Sequence, residues 1–528
     1  RPPGRGDASA YHQLIQSGMD RSIAQLTLDD VVEIARHRAS VQVDGDTLGR
    51  IARGRDVVDR LAQSSIPTYG VSTGFGALAT VSIPAPRRAA LQTSLIRSHA
   101  AGTGPLVPPD VVRAMMLLRL RTLASGLTGV RPVVVETLTA MLNAGITPAV
   151  RRYGSLGCSG DLAPLSHVAL AAMGEGTVIS DVGDAMPAEQ ALARAGIEPV
   201  VLSDKEGLAL INGTDGMLGM LILALADLED LFMTADLATA MSVESLLGTD
   251  RAFAQDLVAL RPHPGQATSA AALRAFLADS DIVASHREDT EHLVQDAYSL
   301  RCSPQVTGAA RDTADHARTV AQRELASVID NPVVLPDGRV ESNGNFHGAP
   351  VAYVLDFLAI ACADVASISE RRTDRLLDKT RSQGLPPFLA HEPGVDSGYM
   401  IAQYAAADVV SSLKRLAVPA SVDSIPSSAM QEDHVSMGWA AGLKLRDAVD
   451  GLRRVLAIEI LVASRALDLR APLRPAAATG AARDVVRGVV GGPGPDEWVS
   501  AQMEAVVGML EDRAILDAVE SALTTQER

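Results

Sequence analysis

The sequence predicts a mostly α-helical (all-α) protein with a central bundle of long helices, and two observations favour this class. Of the 528 residues, 47% are hydrophobic but only 3% are aromatic, and Ala, Leu, Val and Arg are abundant. Such a composition is typical of helices that pack through small side chains. Apolar residues also recur at helical spacing through long segments that are poor in proline. These segments are residues 217–247, 308–327, 351–377, 402–416 and 438–467.

Shorter segments add helices at both ends of this bundle. Residues 29–36 and 46–63 alternate apolar and charged side chains with a helical period, and SSIP at 64–67 ends the second segment. Residues 111–123 are apolar on nearly every side except for three arginines, as expected of a buried helix. Beyond the turn GGPGP at 491–495, residues 497–525 are predicted to form a small helical unit.

Charge and cysteine content restrict the class of partner. The net charge of −16 argues against nucleic acid and against anionic membranes, because both require clustered Lys and Arg. The most apolar run, residues 217–226, is too short to span a bilayer. Cys158, Cys302 and Cys362 have no metal-type spacing, which indicates a reducing compartment without a metal site. We therefore expect a cytoplasmic enzyme that acts on a small molecule.

The motif GCSGD at 157–161 can turn its own backbone into an electrophile. Gly160 has no Cβ, so its nitrogen can approach the carbonyl carbon of Cys158 in a bend that other residues resist. Closure of this ring, with loss of water from the ring and from the Ser159 side chain, leaves a methylidene conjugated to an imidazolone. The alternative explanation of these residues is a Gly/Ser-rich turn that precedes a helix.

The longer run GSLGCSGDLAPLSH at 154–167 resembles the signature of the histidine and aromatic amino-acid ammonia-lyases. The resemblance implies a methylidene-imidazolone (MIO) prosthetic group formed from Cys158, Ser159 and Gly160, with no external cofactor and no metal. Alanine more often takes the first ring position in that family. The side chain of Cys158 does not take part in closure, so we interpret it as a tolerated variant.

This resemblance extends from about Leu26 to Arg470 and implies a fold and an assembly. The fold is that of the aspartase/fumarase-like superfamily, and the assembly is a homotetramer whose sites are each built from several subunits. The predicted organisation is a flexible extension at residues 1–22, an MIO-bearing domain with a lid at 23–215, a long-helix bundle at 216–470, and a C-terminal helical unit at 471–528.

The loop YGVSTGFG at 69–76 resembles the mobile lid of the family, in which the tyrosine, here Tyr69, is implied to remove the β-proton of the substrate. A phenol with an ordinary pKa of about 10 is a poor base near neutrality unless positive charge or hydrogen bonds favour its ionised form. Glu432 and Tyr298 therefore stay open as alternative bases.

Two further segments resemble parts of the family that hold the substrate. Asn212 matches an asparagine that binds the substrate carboxylate or the MIO carbonyl, although a helix N-cap would also suit it. In QDAYSLR at 295–301, Gln295 and Arg301 are implied to bind substrate, with Arg301 clamping the carboxylate in a bidentate pair. Tyr298 is implied to lie against the MIO and assist proton transfer. Ala297 stands where most family members carry proline.

Three positions are implied to line or support the site. In NGNFH at 343–347, Asn345 would donate a hydrogen bond to the prosthetic group and Phe346 would stack near it. Donors of this kind stabilise negative charge that develops on the ring oxygen. Phe346 is also compatible with plain core packing. Met400 matches a pocket-lining position and could equally belong to the core.

The choice of substrate depends on a polar set of residues. Glu432 stands where phenylalanine-type enzymes usually carry glutamine, and a carboxylate can accept a hydrogen bond from an imidazole N–H. Ser98 and His99 stand where phenylalanine-type enzymes are apolar. The resemblance thus implies elimination of ammonia from L-histidine to give trans-urocanate. An aminomutase that re-adds ammonia at the β-carbon stays open, as does a silent binding protein on the same scaffold.

Overall fold

The structure, a computed structural model, describes residues 21–64, 70, 72–73, 83–180, 183–287 and 294–526. Helices dominate these residues, and the strands are only two to four residues long. The predicted all-α class is therefore confirmed. Tyr69, most of the predicted lid and the first twenty residues lie outside the described ranges.

Long helices account for the predicted bundle. Their bounds are Asp215–Ser245, Ser303–Ala326, Ala349–Leu377, Met400–Leu416 and Gly438–Asp468. The helix begins at Ser303, five residues before the predicted start, and therefore includes Pro304. Proline is tolerated there because backbone N–H groups in the first turn have no partner within the helix. The other four helices begin within two residues of the predicted starts.

Shorter helices precede and follow this set. Before Asp215 they are Leu28–Arg36, Gly45–Ala62, Arg88–His99, Pro109–Leu123, Pro132–Asn143, Leu162–Ala172, Ala188–Ala195 and Glu206–Ile211. After Ser245 they are Gln255–Ala259, Pro264–Phe276, Asp281–Ala284, Tyr298–Arg301, Ala477–Arg487, Val499–Glu511 and Ala514–Gln526. The predicted terminal helical unit at 497–525 is thus two helices, because Arg513 adopts a left-handed φ of 59° that ends the first.

The described strands form small sheets, and one of these includes the strand that leads into the GCSGD region. Thr103–Leu106 pairs antiparallel with Arg151–Tyr153, the strand immediately before Gly154. The other paired strands are Arg21–Ser22 with Val41–Gln42, Thr147–Pro148 with Thr177–Ile179, Thr177–Ile179 with Ala185–Pro187, and Val333–Val334 with Val340–Glu341.

The chain divides into two compact units, each assembled from separate stretches. The first unit contains residues 1–223, 318–355 and 419–443, and the second contains residues 224–317, 356–418 and 444–528. The domain boundaries predicted at 22, 215 and 470 run sequentially along the chain and stay predictions.

Buried arginines hold helix ends together in the first unit. Arg113 is 3% exposed, and its guanidinium donates to the carbonyls of Ile34 and Ala35 at one helix end and of Leu142 at another. Unpaired carbonyls give a helix C-terminus a partial negative charge, which a cation stabilises. The arginines in the otherwise apolar helix Pro109–Leu123 therefore hold neighbouring helices together.

One helix among the described residues, Ala349–Leu377, is long and apolar enough to cross a membrane. In its most apolar window, 61% is buried inside the protein. The buried core helix of a soluble protein can be equally long and apolar, so this helix is weak evidence for a membrane span.

Candidate active site

The GCSGD motif forms a tight turn in the first unit. The Gly160 amide donates to the Gly157 carbonyl over 3.3 Å, so residues 157–160 fold back on themselves. Ser159 has a left-handed φ of 49°, between Gly157 at 75° and Gly160 at 82°. A serine rarely adopts this conformation unless its surroundings impose it.

Close packing at Gly160 explains why this residue must be glycine. The turn runs beside Gly213, and the Asp161 amide donates to the Gly213 carbonyl over 2.7 Å. A Cβ on Gly160 would overlap that carbonyl. Ser159 is left-handed and lies between Gly157 and Gly160, in a turn that leaves no space for a Cβ on Gly160. This geometry fits ring closure between the Gly160 nitrogen and the Cys158 carbonyl carbon.

Asp161 fastens this turn to the start of a long helix. Its Oδ2 accepts from the amides of Gly216 and Met217, each over 2.9 Å, in the first turn of helix Asp215–Ser245. The side chain is fully buried, and burial raises its pKa to about 7. The GCSGD segment is therefore held by a buried carboxyl at a helix N-terminus, where such a group is favoured.

Asn212 lies in the same buried region, at the C-terminal end of helix Glu206–Ile211 and not at a helix N-cap. Its Nδ2 donates to the Asn331 carbonyl over 2.8 Å, and its own carbonyl accepts from Arg119. The buried Arg119 guanidinium also donates to the Ile329 carbonyl over 2.8 Å. These contacts fix the side-chain amide and the backbone carbonyl of Asn212.

A cavity of about 280 Å³ opens beside the turn. It brings together sequence-predicted residues from three separated stretches of the first unit. Its lining residues are Ser98, His99, Ala101, Gly154, Ser155, Leu156, Cys158, Gly160, Leu162, Ala163, Ser427 and Glu432.

His99 ends helix Arg88–His99, and its hydrogen bonds fix the position of its proton. The ring Nδ1 lies 2.9 Å from the Leu95 carbonyl oxygen and 3.0 Å from the Ser98 hydroxyl. A carbonyl can only accept, so Nδ1 carries a hydrogen. In the neutral ring, Nε2 is then a hydrogen-bond acceptor.

Glu432 enters the cavity lining on a short hairpin. The backbone of Ser427 donates to the Glu432 carbonyl over 3.0 Å, and the Ser427 hydroxyl donates to Glu432 Oε2 over 2.7 Å. The Cys158 Sγ lies 3.3 Å from that same hydroxyl. The sequence analysis interpreted Cys158 as a tolerated variant. Its thiol nevertheless contacts Ser427, which is hydrogen-bonded to Glu432.

The other predicted residues of the first unit lie apart from this lining. Asn345 is exposed, and its backbone N–H donates to Oδ1 of Asn343 over 2.9 Å. Phe346 is half-buried. Their predicted contacts with the prosthetic group stay predictions.

In the second unit, the predicted carboxylate clamp lies on the short helix Tyr298–Arg301. Arg301 Nε donates to the Asp296 carbonyl over 2.9 Å, and its guanidinium carbon is 4.7 Å from the centre of the Tyr298 ring. Tyr298 is 71% exposed, and Gln295 is also exposed. Met400 is half-buried at the first position of helix Met400–Leu416.

Ala297 caps the clamp helix with φ of −60° and ψ of 154°. Proline fixes φ near −65°, so alanine here adopts the backbone conformation that proline would impose. The departure from the family pattern at Ala297 therefore leaves the shape of this turn unchanged.

Sequence reasoning missed two residues that this site uses. Ser427 stands five positions before Glu432, and a serine in a polar loop carries no distinctive pattern. His167 ends the GSLGCSGDLAPLSH run, and its Nε2 accepts from the Gly102 amide over 3.1 Å. Burial and the charge of Arg151 lower the pKa of His167, which favours the neutral ring that this acceptor role requires.

Among the described residues, no group of three or more His, Cys, Asp or Glu side chains is arranged to hold a metal ion. Cys158, Cys302 and Cys362 are free thiols.

Comparison with known proteins gives this geometry a family. Residues 26–488 match the model of the aromatic amino acid lyase family. A histidine ammonia-lyase of Streptomyces avermitilis is 60% identical over 497 residues, which is 94% of this chain and 97% of that protein. A histidine ammonia-lyase of Anaeromyxobacter dehalogenans is 49% identical over 497 residues, covering 93% of this chain and 98% of that protein.

Solved structures agree on the fold. A tyrosine aminomutase from Streptomyces globisporus superposes with a TM-score of 0.91 at 37% identity, covering 96% of this chain and 99% of that one. A histidine ammonia-lyase from Trypanosoma cruzi gives a TM-score of 0.87 at 36% identity, covering 96% of each chain. The resemblance drawn from the GCSGD region is thus confirmed, and the chain belongs to the aromatic amino acid lyase family.

Proposed function

We propose that this protein is a histidine ammonia-lyase, which eliminates ammonia from L-histidine to give trans-urocanate. The observation that carries the proposal is the cavity in which Ser98, His99 and Glu432 share a lining with Cys158 and Gly160, the residues on either side of Ser159. Two relatives that are 60% identical to this chain are named histidine ammonia-lyases, which supports histidine as the substrate.

Recognition of the imidazole ring would use the polar side of this cavity. Glu432 accepts a hydrogen bond from one ring N–H, and when the substrate ring is protonated on both nitrogens its other N–H can donate to Nε2 of His99. A phenyl ring offers neither donor. Once bound substrate covers these half-buried groups, leaving them unpaired costs about 1–3 kcal/mol each, so two of them give a preference of about a hundredfold or more for histidine over phenylalanine.

The remaining residues would align the reacting atoms. Arg301 binds the substrate carboxylate in a bidentate, charge-assisted pair, while Asn212, Gln295 and Met400 line the substrate. Fixing both ends of the substrate points its β-hydrogen toward the base, which is where positioning contributes most. Tyr69 is the proposed base, with Glu432 and Tyr298 as the alternatives.

Elimination removes the β-proton and the α-amino group, and a double bond forms between Cα and Cβ. The chemistry that the MIO group supplies is an electrophilic carbon that makes the amine a better leaving group. Cys158, Ser159 and Gly160 would form that group, with Asn345 and Phe346 supporting it.

The proposed assembly is a cytoplasmic homotetramer with shared sites. Exposed apolar side chains recur on two helices of the second unit, with Phe357 and Ile360 on one and Ile401 and Tyr404 on the other. Such exposure is typical of surfaces that another chain covers.

Light scattering would report the mass of the assembly in solution. Co-expressing Ser159→Ala and Arg301→Ala chains, each inactive alone, should restore activity only if sites are shared between subunits.

Product analysis tests the reaction. L-Histidine, L-tyrosine and L-phenylalanine are offered in parallel, with ultraviolet detection of conjugated products and mass spectrometry of the amino acids. We expect urocanate and ammonia in equal amounts from histidine, and at least about a hundredfold lower kcat/KM for phenylalanine. Comparable rates on phenylalanine or tyrosine would contradict the assignment of the cavity.

An aminomutase is the second candidate, because a tyrosine aminomutase superposes on this chain with a TM-score of 0.91. The same mass spectra distinguish it. A β-amino acid that accumulates with substrate consumption would replace the lyase proposal with the aminomutase one.

A further inference from the structure

The hairpin that carries Glu432 has an unusual backbone. Ser427 and Glu432 pair across it, since the amide of each donates to the carbonyl of the other, over 3.0 and 3.4 Å. Between them, Ser428, Ala429 and Met430 all adopt left-handed φ values of 49°, 52° and 70°. Non-glycine residues hold such values only where the surrounding structure imposes them, and these often lie at functional sites. The hairpin thus fixes Ser427 next to Glu432.

The side chains form a directed chain of hydrogen bonds. The Ser427 hydroxyl has one hydrogen, and a carboxylate can only accept, so this hydrogen goes to Glu432 Oε2 at 2.7 Å. The Cys158 thiol, 3.3 Å away, is then the donor to the Ser427 oxygen. Burial raises the pKa of the Cys158 thiol to about 11, so it keeps its hydrogen near neutral pH. The order is therefore thiol to hydroxyl to carboxylate.

We propose that Ser427 is a positioning residue for recognition of the substrate ring. It holds Oε2 of Glu432 and leaves Oε1 to accept from a ring N–H, while the Cys158 thiol orients the Ser427 hydroxyl. Its effect falls on substrates whose ring carries an N–H donor. The inference rests on the proposed function and adds to it a determinant of specificity.

A double-mutant cycle on the complete enzyme tests this coupling. Kinetics with L-histidine are measured for the parent, Ser427→Ala, Glu432→Gln and the double variant. Ser427→Ala should lower kcat/KM about tenfold, chiefly through KM, because a hydrogen bond to a charged group is lost. In the Glu432→Gln protein, the same Ser427→Ala change should alter kcat/KM less than about twofold, because Ser427 acts through the carboxylate.

Two serine variants separate positioning from folding. Ser427→Thr keeps the hydroxyl and should restore most of the parent KM. Ser428→Ala removes the neighbouring exposed hydroxyl, for which the structure gives no side-chain hydrogen bond, and should keep the parent KM. A parent-like KM in Ser427→Ala, or losses that multiply in the double variant, would overturn the inference.

The thiol supplies a test that spares the hairpin. Cys158→Ala removes the donor and should have a KM severalfold above that of Cys158→Ser, which keeps a donor. Intact mass checks that both variants still undergo the water loss of MIO formation. Equal KM values for the two would remove the thiol from the proposal. Failure of the parent to act on L-histidine would reject the proposed function instead, which distinguishes the two failures.

Discussion

The cavity in the first unit and the Gln295–Arg301 segment in the second unit carry complementary parts of the proposed site but are built differently. In the cavity, His99 and Glu432 are each held by neighbouring side-chain or backbone groups. In the other segment, Tyr298 is 71% exposed and is braced mainly by Arg301 stacked above its ring. The difference indicates that the residues proposed to recognise the ring are preorganised within one unit, whereas the proposed carboxylate clamp lies on a surface.

The largest effect is expected at the turn that borders the cavity. Ser159→Ala removes the source of the methylidene carbon, so activity should fall by several orders of magnitude while the fold is kept. Intact mass should no longer show the loss of two water molecules. Ser411→Ala, an exposed serine in a helix of the second unit, is the matched control and should keep parent activity. Full activity in Ser159→Ala would contradict the proposed origin of the electrophile.

Arg301→Lys tests the surface side of the comparison. Lysine keeps the charge but cannot form the bidentate pair, so KM for L-histidine should rise about tenfold to a hundredfold. The melting temperature should hardly change, because the Arg301 side chain makes only one described hydrogen bond, to the Asp296 carbonyl. Arg287→Lys, which alters an ion pair with Asp250 in the same unit, is the control. An unchanged KM would show that the segment does not bind the substrate carboxylate.

Asp161→Asn tests the buried side through pH. The folded-state pKa of Asp161 is raised by burial to about 7, above its ordinary 3.8. Between these values the folded protein holds a proton that the unfolded chain has lost, so this contribution to stability is present at low pH and is lost as pH rises toward 7. The loss is at most about 1.4 kcal/mol per pH unit.

Asparagine keeps an oxygen to accept from the amides of Gly216 and Met217 but does not titrate. Calorimetric melting temperatures of the parent should therefore fall, relative to Asp161→Asn, as pH rises from about 4 to 7. Parallel pH profiles of the two proteins would contradict the buried, proton-binding carboxyl.

The smallest effect is expected from Ala297→Pro. The φ of −60° suits proline, and no backbone hydrogen bond donated by Ala297 is described. Proline should therefore stabilise the protein by about 0.4–1 kcal/mol, by restricting the unfolded chain. Urea unfolding measures the gain, and KM for L-histidine should stay at the parent value. A destabilised variant would indicate that the segment needs a flexible backbone at this position.

Much of the fold and part of the site were predictable from the sequence because they depend on local pattern. Helical periodicity located the long helices within a few residues, since each buries one or more apolar faces. The two glycines around Ser159 predicted the tight turn because residues three apart in sequence can meet without help from the rest of the fold. The polar character of Ser98, His99 and Glu432 predicted an imidazole substrate, which stays a proposal.

Other features depended on contacts between distant residues. Asn212 could equally have capped a helix N-terminus, and only the tertiary structure placed it at a helix C-terminal end with its side chain donating to the Asn331 carbonyl. The break at Arg513 escaped prediction because a left-handed residue outside glycine leaves no signal in the pattern.

The sequence by itself determined the helical class, the self-modifying motif and the types of side chain available for the chemistry, because these follow from residue identity and short spacing. Only the tertiary structure decided which of those side chains meet. Cys158 and Ser427 are 269 positions apart, and their contact exists because the turn and the Glu432 hairpin line the same cavity. No periodicity encodes such a pair, since its geometry is set by the packing of the whole first unit.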